Sequence, residues 1–184
     1  PDIKIHADAG AFLSALNNAL PSLDPKEEWL AYCQRVKLKY PVILPEHRAR
    51  TDYVSSYVLP EKIVQCAPCP LTVVTSNGIA YTSTFQSIPI LKDMRMFSNE
   101  ACASMGYGLP AAIGAAFAGG QERTVVCFEG DGSIQMNLQE LQTLLTYKLP
   151  IKLFVYNNGG YLSIKTTQKS FFGGFFVGSE AGSG

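Results

Sequence analysis

The sequence has no surplus of either charge: Lys and Arg number 15 and so do Asp and Glu. A chain so balanced lacks the basic face that draws nucleic acid or an anionic membrane and the acidic tail that draws a basic partner, so neither nucleic acid nor membrane is expected as a partner. It also has no stretch of about 18 uncharged apolar residues, and so offers no candidate membrane-spanning helix. The opening PDIKIHADAG lacks the basic start and apolar run of a secretory signal. A cytoplasmic location is the resulting expectation. Histidine is scarce, at His6 and His47 only, and the cysteines, at 33, 66, 69, 102 and 127, are odd in number and scattered. Such spacing does not resemble the dense, even framework of a small secreted domain, and reduced thiols are expected. Cys66-Ala-Pro-Cys69 has the spacing of a redox pair or half a zinc site. A zinc site needs two further ligands, which two histidines scarcely provide, so the segment reads as a turn before a strand. Two nucleotide-binding signatures are missing as well: neither G-x-x-x-x-G-K-[ST] nor a G-x-G-x-x-G after a strand occurs.

What is present suffices for one ordinary domain with a short appendage: 184 residues, 47% of them apolar and 11% aromatic. Residues 7–20 carry apolar side chains at 12, 13, 16 and 20, the spacing of an amphipathic helix, with Asp8 as its N-cap and Pro21 as its end. Residues 25–40 form a second helical pattern, and Pro41 and Pro45 then predict a connecting loop over 41–51. Beyond 51 the character changes. Three β-branched, apolar runs, Leu71–Thr75, Thr124–Phe128 and Ile151–Tyr156, read as buried strands. Helical patterns lie over 109–118 and 137–148, so strand and helix alternate. Alternation of this kind predicts an α/β fold, an open parallel sheet with helices on both faces, whose ligands bind beyond the carboxyl ends of the strands. Functional residues are therefore expected just after Thr75, Phe128 and Tyr156. The Gly-rich stretch from Phe172 to Gly184 reads as a cut mobile loop.

Directly after the second strand comes Glu129-Gly130-Asp131-Gly132-Ser133, followed by a helical pattern. Glycines let the backbone turn tightly and approach a ligand, a helix start offers free N–H groups to an anion, and the carboxylate can hold a hard cation beside it. The third strand ends in Asn157-Asn158-Gly159-Gly160, which brings amide oxygens to the same sheet edge. Magnesium takes about six oxygens in near-octahedral array, and the two loops together can supply carboxylate, amide and backbone oxygens.

Gly130-Asp131-Gly132, then 24 residues, then Asn157-Asn158 resembles the thiamine-diphosphate signature of the pyruvate-decarboxylase and acetolactate-synthase superfamily. The segments from Met105 to Ala115 and from Gly130 to Thr143 are similar to the acetolactate synthase large subunit. The resemblance implies thiamine diphosphate and Mg2+ as cofactors. Asp131, the Asn158 side chain and the Gly160 carbonyl would ligate the metal, with Gly130 in the same turn and Gly132 and Ser133 on the diphosphate. Met105 matches the bulky residue that props the cofactor in its bent shape, against the alternative of plain core packing. The Ala103 carbonyl matches the acceptor for the aminopyrimidine group. Tyr161 is expected to pack over the metal loop, and Gln139 and Glu140 to be solvated.

The resemblance further implies decarboxylation of a small-molecule 2-oxo acid such as pyruvate and transfer of the acyl carbanion to a carbonyl acceptor, in a homodimer or tetramer. In this family the activating glutamate belongs to a pyrimidine-binding domain, usually of the partner subunit; no catalytic residue is expected in this chain. Residues 1–20 resemble the tail of the family's central domain, which makes 21–51 a linker with a helix and 52–184 a diphosphate- and magnesium-binding domain truncated at its C-terminus. Departures from the family are equally specific. Where relatives place Gly-Gln-His-Gln, this chain has Ser76-Asn77-Gly78, so Asn77 and the Gly78 backbone are expected to substitute. Ser163 and Ile164 replace the usual substrate-pocket residues. They keep open a related decarboxylase or a carboligase of nucleotide-sugar or lipopolysaccharide synthesis, beside a non-catalytic dimerisation module.

Overall fold

The computed structural model describes residues 2–21, 24–120 and 122–183 and falls into two compact units, residues 1–41 and 42–184. The first unit carries α1 (Ala9–Ala19) and α2 (Glu27–Lys39). Asp8 is the N-cap of α1, and its Oδ1 accepts the Ala11 N–H at 3.0 Å. In α2, Trp29 and Tyr32 lie on one face and stack with ring centroids 5.5 Å apart.

The second unit opens with α3 (Pro45–Ala49), where a connecting loop is expected. Pro45 starts this turn instead of breaking the chain, because its fixed φ suits the first helical position and no N–H is needed there. His47 Nδ1 accepts the Leu44 N–H at 3.2 Å and closes the turn. After it come α4 (Val58–Cys66), β1 (Leu71–Thr75), α5 (Gly78–Ser87), β2 (Met94–Phe97), α6 (Gly108–Gly119) and β3 (Thr124–Gly130). The chain then forms α7 (Asp131–Ile134), a 3₁₀ turn (Gln135–Asn137), α8 (Glu140–Thr146), β4 (Ile151–Tyr156) and α9 (Leu162–Phe171). The single helix expected over 137–148 is thus shorter and preceded by two separate turns. Asn137 spends its side chain on the Gly106 carbonyl, at 2.6 Å, in place of a regular helix entry. The edge strand β2 escapes sequence reading because it has four residues, one of them Arg95, and is nowhere fully buried.

All strands pair in parallel in the order β2-β1-β3-β4. The chain leaves β1 for β2 on one side and returns to lay β3 on the other, so β1 and β3 flank the point where the strand order reverses. Alternation along the strands divides the core. Leu71, Val73, Val126 and Phe128 face one side with Val64 of α4 and Ala80 of α5. Val74, Val125 and Cys127 face the other, against Leu109, Ala112, Ile113 and Ala116 of α6. Each fully buried Val, Leu or Phe contributes about 1.5–3 kcal/mol to holding the layers together.

The Cys66–Cys69 pair ends α4 and precedes β1; both thiols are exposed and unbridged. Among the described residues no group of three or more His, Cys, Asp or Glu is placed to hold a metal, and no helix is long and apolar enough to cross a membrane.

Two measurements check this packing. Phe128 is fully buried between α4, α5 and β4, and Phe128→Ala should cost about 3–5 kcal/mol in urea unfolding. Cys33, Cys66, Cys69 and Cys102 are exposed, whereas burial, with the Glu129 carboxyl adding to it, pushes the Cys127 thiol well above its ordinary range. A thiol reagent should therefore modify those four in the native protein and Cys127 only after denaturation; native reactivity of Cys127 would contradict the placement of β3.

Candidate functional site

The carboxyl ends of β1, β3 and β4 open onto a cleft of about 260 Å³. Every site residue expected from the sequence lines it: Asn77 and Gly78 after β1, Ala103 and Met105 before α6, Gly130, Asp131, Gly132 and Ser133 after β3, and Asn158, Gly160 and Tyr161 after β4. The reversal of strand order between β1 and β3 is what parts the loops and leaves this space.

Asp131 ties the loops together. Its Oδ1 accepts the Gly132 N–H at 2.8 Å, and its Oδ2 accepts the N–H groups of Gly159 and Gly160, both at 2.9 Å. Three backbone donors fix the carboxylate, which lines the cleft and retains acceptor capacity beyond these bonds. In the same cleft, the Asn158 Oδ1 is buried and has no hydrogen-bonding partner. A buried amide oxygen left bare costs roughly 1–3 kcal/mol, and such an atom is the kind of donor a hard cation takes up. The Gly160 carbonyl accepts the Leu162 N–H at 3.0 Å, which turns the chain into α9.

Gly160 has φ of 106°, a conformation that favours glycine, and a Cβ there would lie 2.7 Å from the Ser179 carbonyl oxygen. That carbonyl accepts the Tyr161 N–H at 3.1 Å, and the fully buried Ser179 donates its hydroxyl to Gln168 of α9 at 2.6 Å. The segment from 178 to 181 thereby braces the loop after β4. Tyr161 packs its ring on Gly132, as expected: a Cβ on Gly132 would fall 2.6 Å and 2.7 Å from two ring carbons.

The other side of the cleft is stapled to the loop before α6. Ser133 is buried, its Oγ accepts the Gly106 N–H at 2.8 Å, and it lies 3.0 Å from the Ser76 Oγ. Asn77 Nδ2 donates to the Ala103 carbonyl at 3.1 Å, so this side chain orients the loop across from it. Met105 precedes α6 and is 41% exposed at the cleft. Gln139 is exposed and Glu140 half-buried, its Oε2 accepting from Thr143.

Sequence reading misses Ser76, Asn137 and Ser179 as supports and Ile79, Ala80 and Leu162 as lining; Ser163 and Ile164, visible as departures from the family, do line the cleft. The supports' partners lie well outside their own turns, Ser76 reaching Ser133, Asn137 reaching Gly106 and Ser179 reaching Tyr161 and Gln168, and no local pattern announces them.

Comparison with known proteins agrees with this geometry. The family described as "Thiamine pyrophosphate enzyme, C-terminal TPP binding domain" matches residues 77–182. The acetolactate synthase isozyme 1 large subunit of Escherichia coli (strain K12) is 32% identical over 172 residues, covering 94% of this chain and 30% of the relative. The acetolactate synthase large subunit of Porphyra purpurea is 31% identical over 178 residues, 94% of this chain and 29% of the relative. The chain thus spans under a third of the length of these curated relatives. Among solved structures, the thiamine diphosphate-dependent 4-hydroxybenzoylformate decarboxylase of Rhodococcus jostii RHA1 superposes with a TM-score of 0.62 at 23% identity, over 72% of this chain and 25% of that one. That likeness establishes the shared fold.

The contact between Gly132 and Tyr161 is directly testable. Gly132→Ala should destabilise the protein by about 1–3 kcal/mol, and adding Tyr161→Ala should recover part of that loss in a double-mutant cycle followed by urea unfolding. Strict additivity would show that the two do not touch.

Proposed function

The chain belongs to the thiamine pyrophosphate enzymes, as a C-terminal TPP-binding domain of the acetolactate synthase large-subunit type, and from that membership we propose that its cleft binds thiamine diphosphate together with Mg2+. The observation that carries the metal is the bare, buried Asn158 Oδ1 in the same cleft as the fixed Asp131 carboxylate. Magnesium favours one or two protein carboxylates completed by phosphate oxygens and water, so a site with a single carboxylate, one amide oxygen and the Gly160 carbonyl fits it.

In this reading residues 52–184 form the cofactor-binding domain. Asp131 and Asn158 hold the metal, while Gly130, Gly132 and Ser133 receive the diphosphate at the start of α7. Asn77 keeps the Ala103 carbonyl turned to accept from the aminopyrimidine, and Met105 fills the space beneath the bent cofactor. Asn77 and Gly78 stand in for the longer polar side chains that relatives place after this strand. Tyr161 shields the metal loop from water by covering Gly132. Bound thiamine diphosphate supplies a carbon nucleophile for 2-oxo acids. The whole protein decarboxylates such an acid, pyruvate for example, and passes the acyl unit to a carbonyl acceptor. The activating glutamate comes from a pyrimidine-binding domain of a partner subunit in a homo-oligomer.

A second reading concerns the substrate. Ser163 and Ile164 line the cleft where the family's usual pocket residues are absent, and they support a related decarboxylase or carboligase as the alternative to an acetolactate synthase-like enzyme.

Calorimetric titration with thiamine diphosphate and Mg2+, repeated with chelator and with plain thiamine, tests the cofactor reading. Binding should need both metal and diphosphate. Asp131→Ala should weaken it by more than the roughly 10-fold that loss of even an outer partner of a metal ligand costs, and it should also lower the melting temperature of the cofactor-free protein, because three backbone N–H groups lose their acceptor. Wild-type affinity in that variant would remove Asp131 from the metal.

A further inference from the structure

Glu129 is fully buried at the end of β3, one residue before the turn that carries Asp131. Strand alternation explains its direction. Val125 and Cys127 face α6, so residue 129 faces α6 too. There its two oxygens meet two different parts of the cleft. Oε1 accepts the N–H of Gly130, the last residue of β3, at 3.2 Å. Oε2 lies against Gly108, the first residue of α6: a Cβ on Gly108 would collide with it and would come within 3.0 Å of the Ser76 Cβ. Helix α6 has no side-chain cap and no acidic residue in its first turn. Oε2 packs against that turn by contact and has no hydrogen-bonding partner. An isolated carboxyl in a packed core is unfavourable, and folding alone would be served as well by an apolar residue of that size.

We propose that Glu129 is a positioning residue, a buried strut that fixes the distance between the loop 130–133 and the loop 103–107 and so sets the span of the cofactor site from its diphosphate end to its ring end. Gly108 is small because the strut needs its space. The buried Gly106 N–H bond to Ser133 links the same two loops, and the Glu129 side chain packs between the end of β3 and the start of α6. The assignment rests on the thiamine diphosphate reading for its function, while the strut itself can be tested without cofactor.

Two measurements on the protein separate these levels. In cofactor-free protein, Glu129→Leu, similar in size but without acceptors, should speed amide exchange at Gly130 and through 103–107 by roughly 10-fold, whereas Glu129→Gln, which keeps one acceptor, should fall closer to wild type. In calorimetry, Glu129→Leu should weaken thiamine diphosphate about 10-fold or more while changing Mg2+-dependent binding of inorganic diphosphate by less than about 3-fold, since only the longer ligand senses the span. Equal behaviour of the Leu and Gln variants, whether both intact or both damaged, overturns the strut; so does an equal loss for inorganic diphosphate, which marks general collapse of the site. If the Leu variant does not fold, Gly108→Ala replaces it: its methyl displaces Oε2 and should produce the same exchange pattern, and unchanged exchange in that variant overturns the proposal. Failure of the wild-type protein to bind thiamine diphosphate would refute the cofactor reading and leave the strut to stand or fall on amide exchange alone.

Discussion

Three backbone N–H groups converge on the Asp131 carboxylate, and the loops at the cleft depend on that convergence. Oδ1 closes the turn after β3 and Oδ2 reaches over to the chain after β4, so two strands adjacent in the sheet are also bound together beyond their ends. A side chain engaged in this way is already desolvated and oriented before any ligand arrives, and pre-organisation of that kind lowers the cost of binding. The support extends outward. Gly160 can donate to Asp131 because its backbone lies in a conformation open to glycine, and that conformation admits the Ser179 carbonyl, which in turn receives Tyr161. Tyr161 then rests on Gly132, and the path returns to the turn where it started.

Much of this is legible in the sequence because the informative residues are local. Three strands show as β-branched runs, and Gly130-Asp131-Gly132 and Asn157-Asn158 sit where strands end, so the parallel α/β sheet and the edge that carries the cleft follow from pattern alone. Asp8 announces the start of α1 by its own chemistry. What stays hidden is non-local or ambiguous. β2 is too short and too polar to stand out, and its place beside β1 depends on pairing, not on its own composition. Pro45 has the look of a breaker although the same ring begins α3. Glu129 is an instructive case: a charged residue in an apolar strand with strict alternation points to the α6 side, so its direction is available from the sequence, but its neighbour Gly108 is not.

The two faces of the sheet serve different ends. Toward α4 and α5 the packing is large and aromatic, with Phe128 against Phe154 and Tyr156. Toward α6 it is built from alanines and short aliphatic residues, which brings the helix close to the sheet and its first turn close to the end of β3. The close face is the one that carries the loop with Ala103 and Met105, so small side chains in α6 are a condition for the cleft's shape as well as for the core.

The strand order has a consequence for how the molecule comes into being. Leu71 pairs with Met94 on one side and with Thr124 on the other, and β3 must then receive β4. Local pairing of β1 with β2 is available early in synthesis, but the central pair β1–β3 closes a long intervening loop, and parallel contacts of such sequence separation form slowly. The cleft lies across that late junction and exists only once it has closed. Any ligand that occupies it therefore selects chains in which the sheet is complete, and ligand supply during synthesis becomes a determinant of how much chain escapes aggregation and degradation.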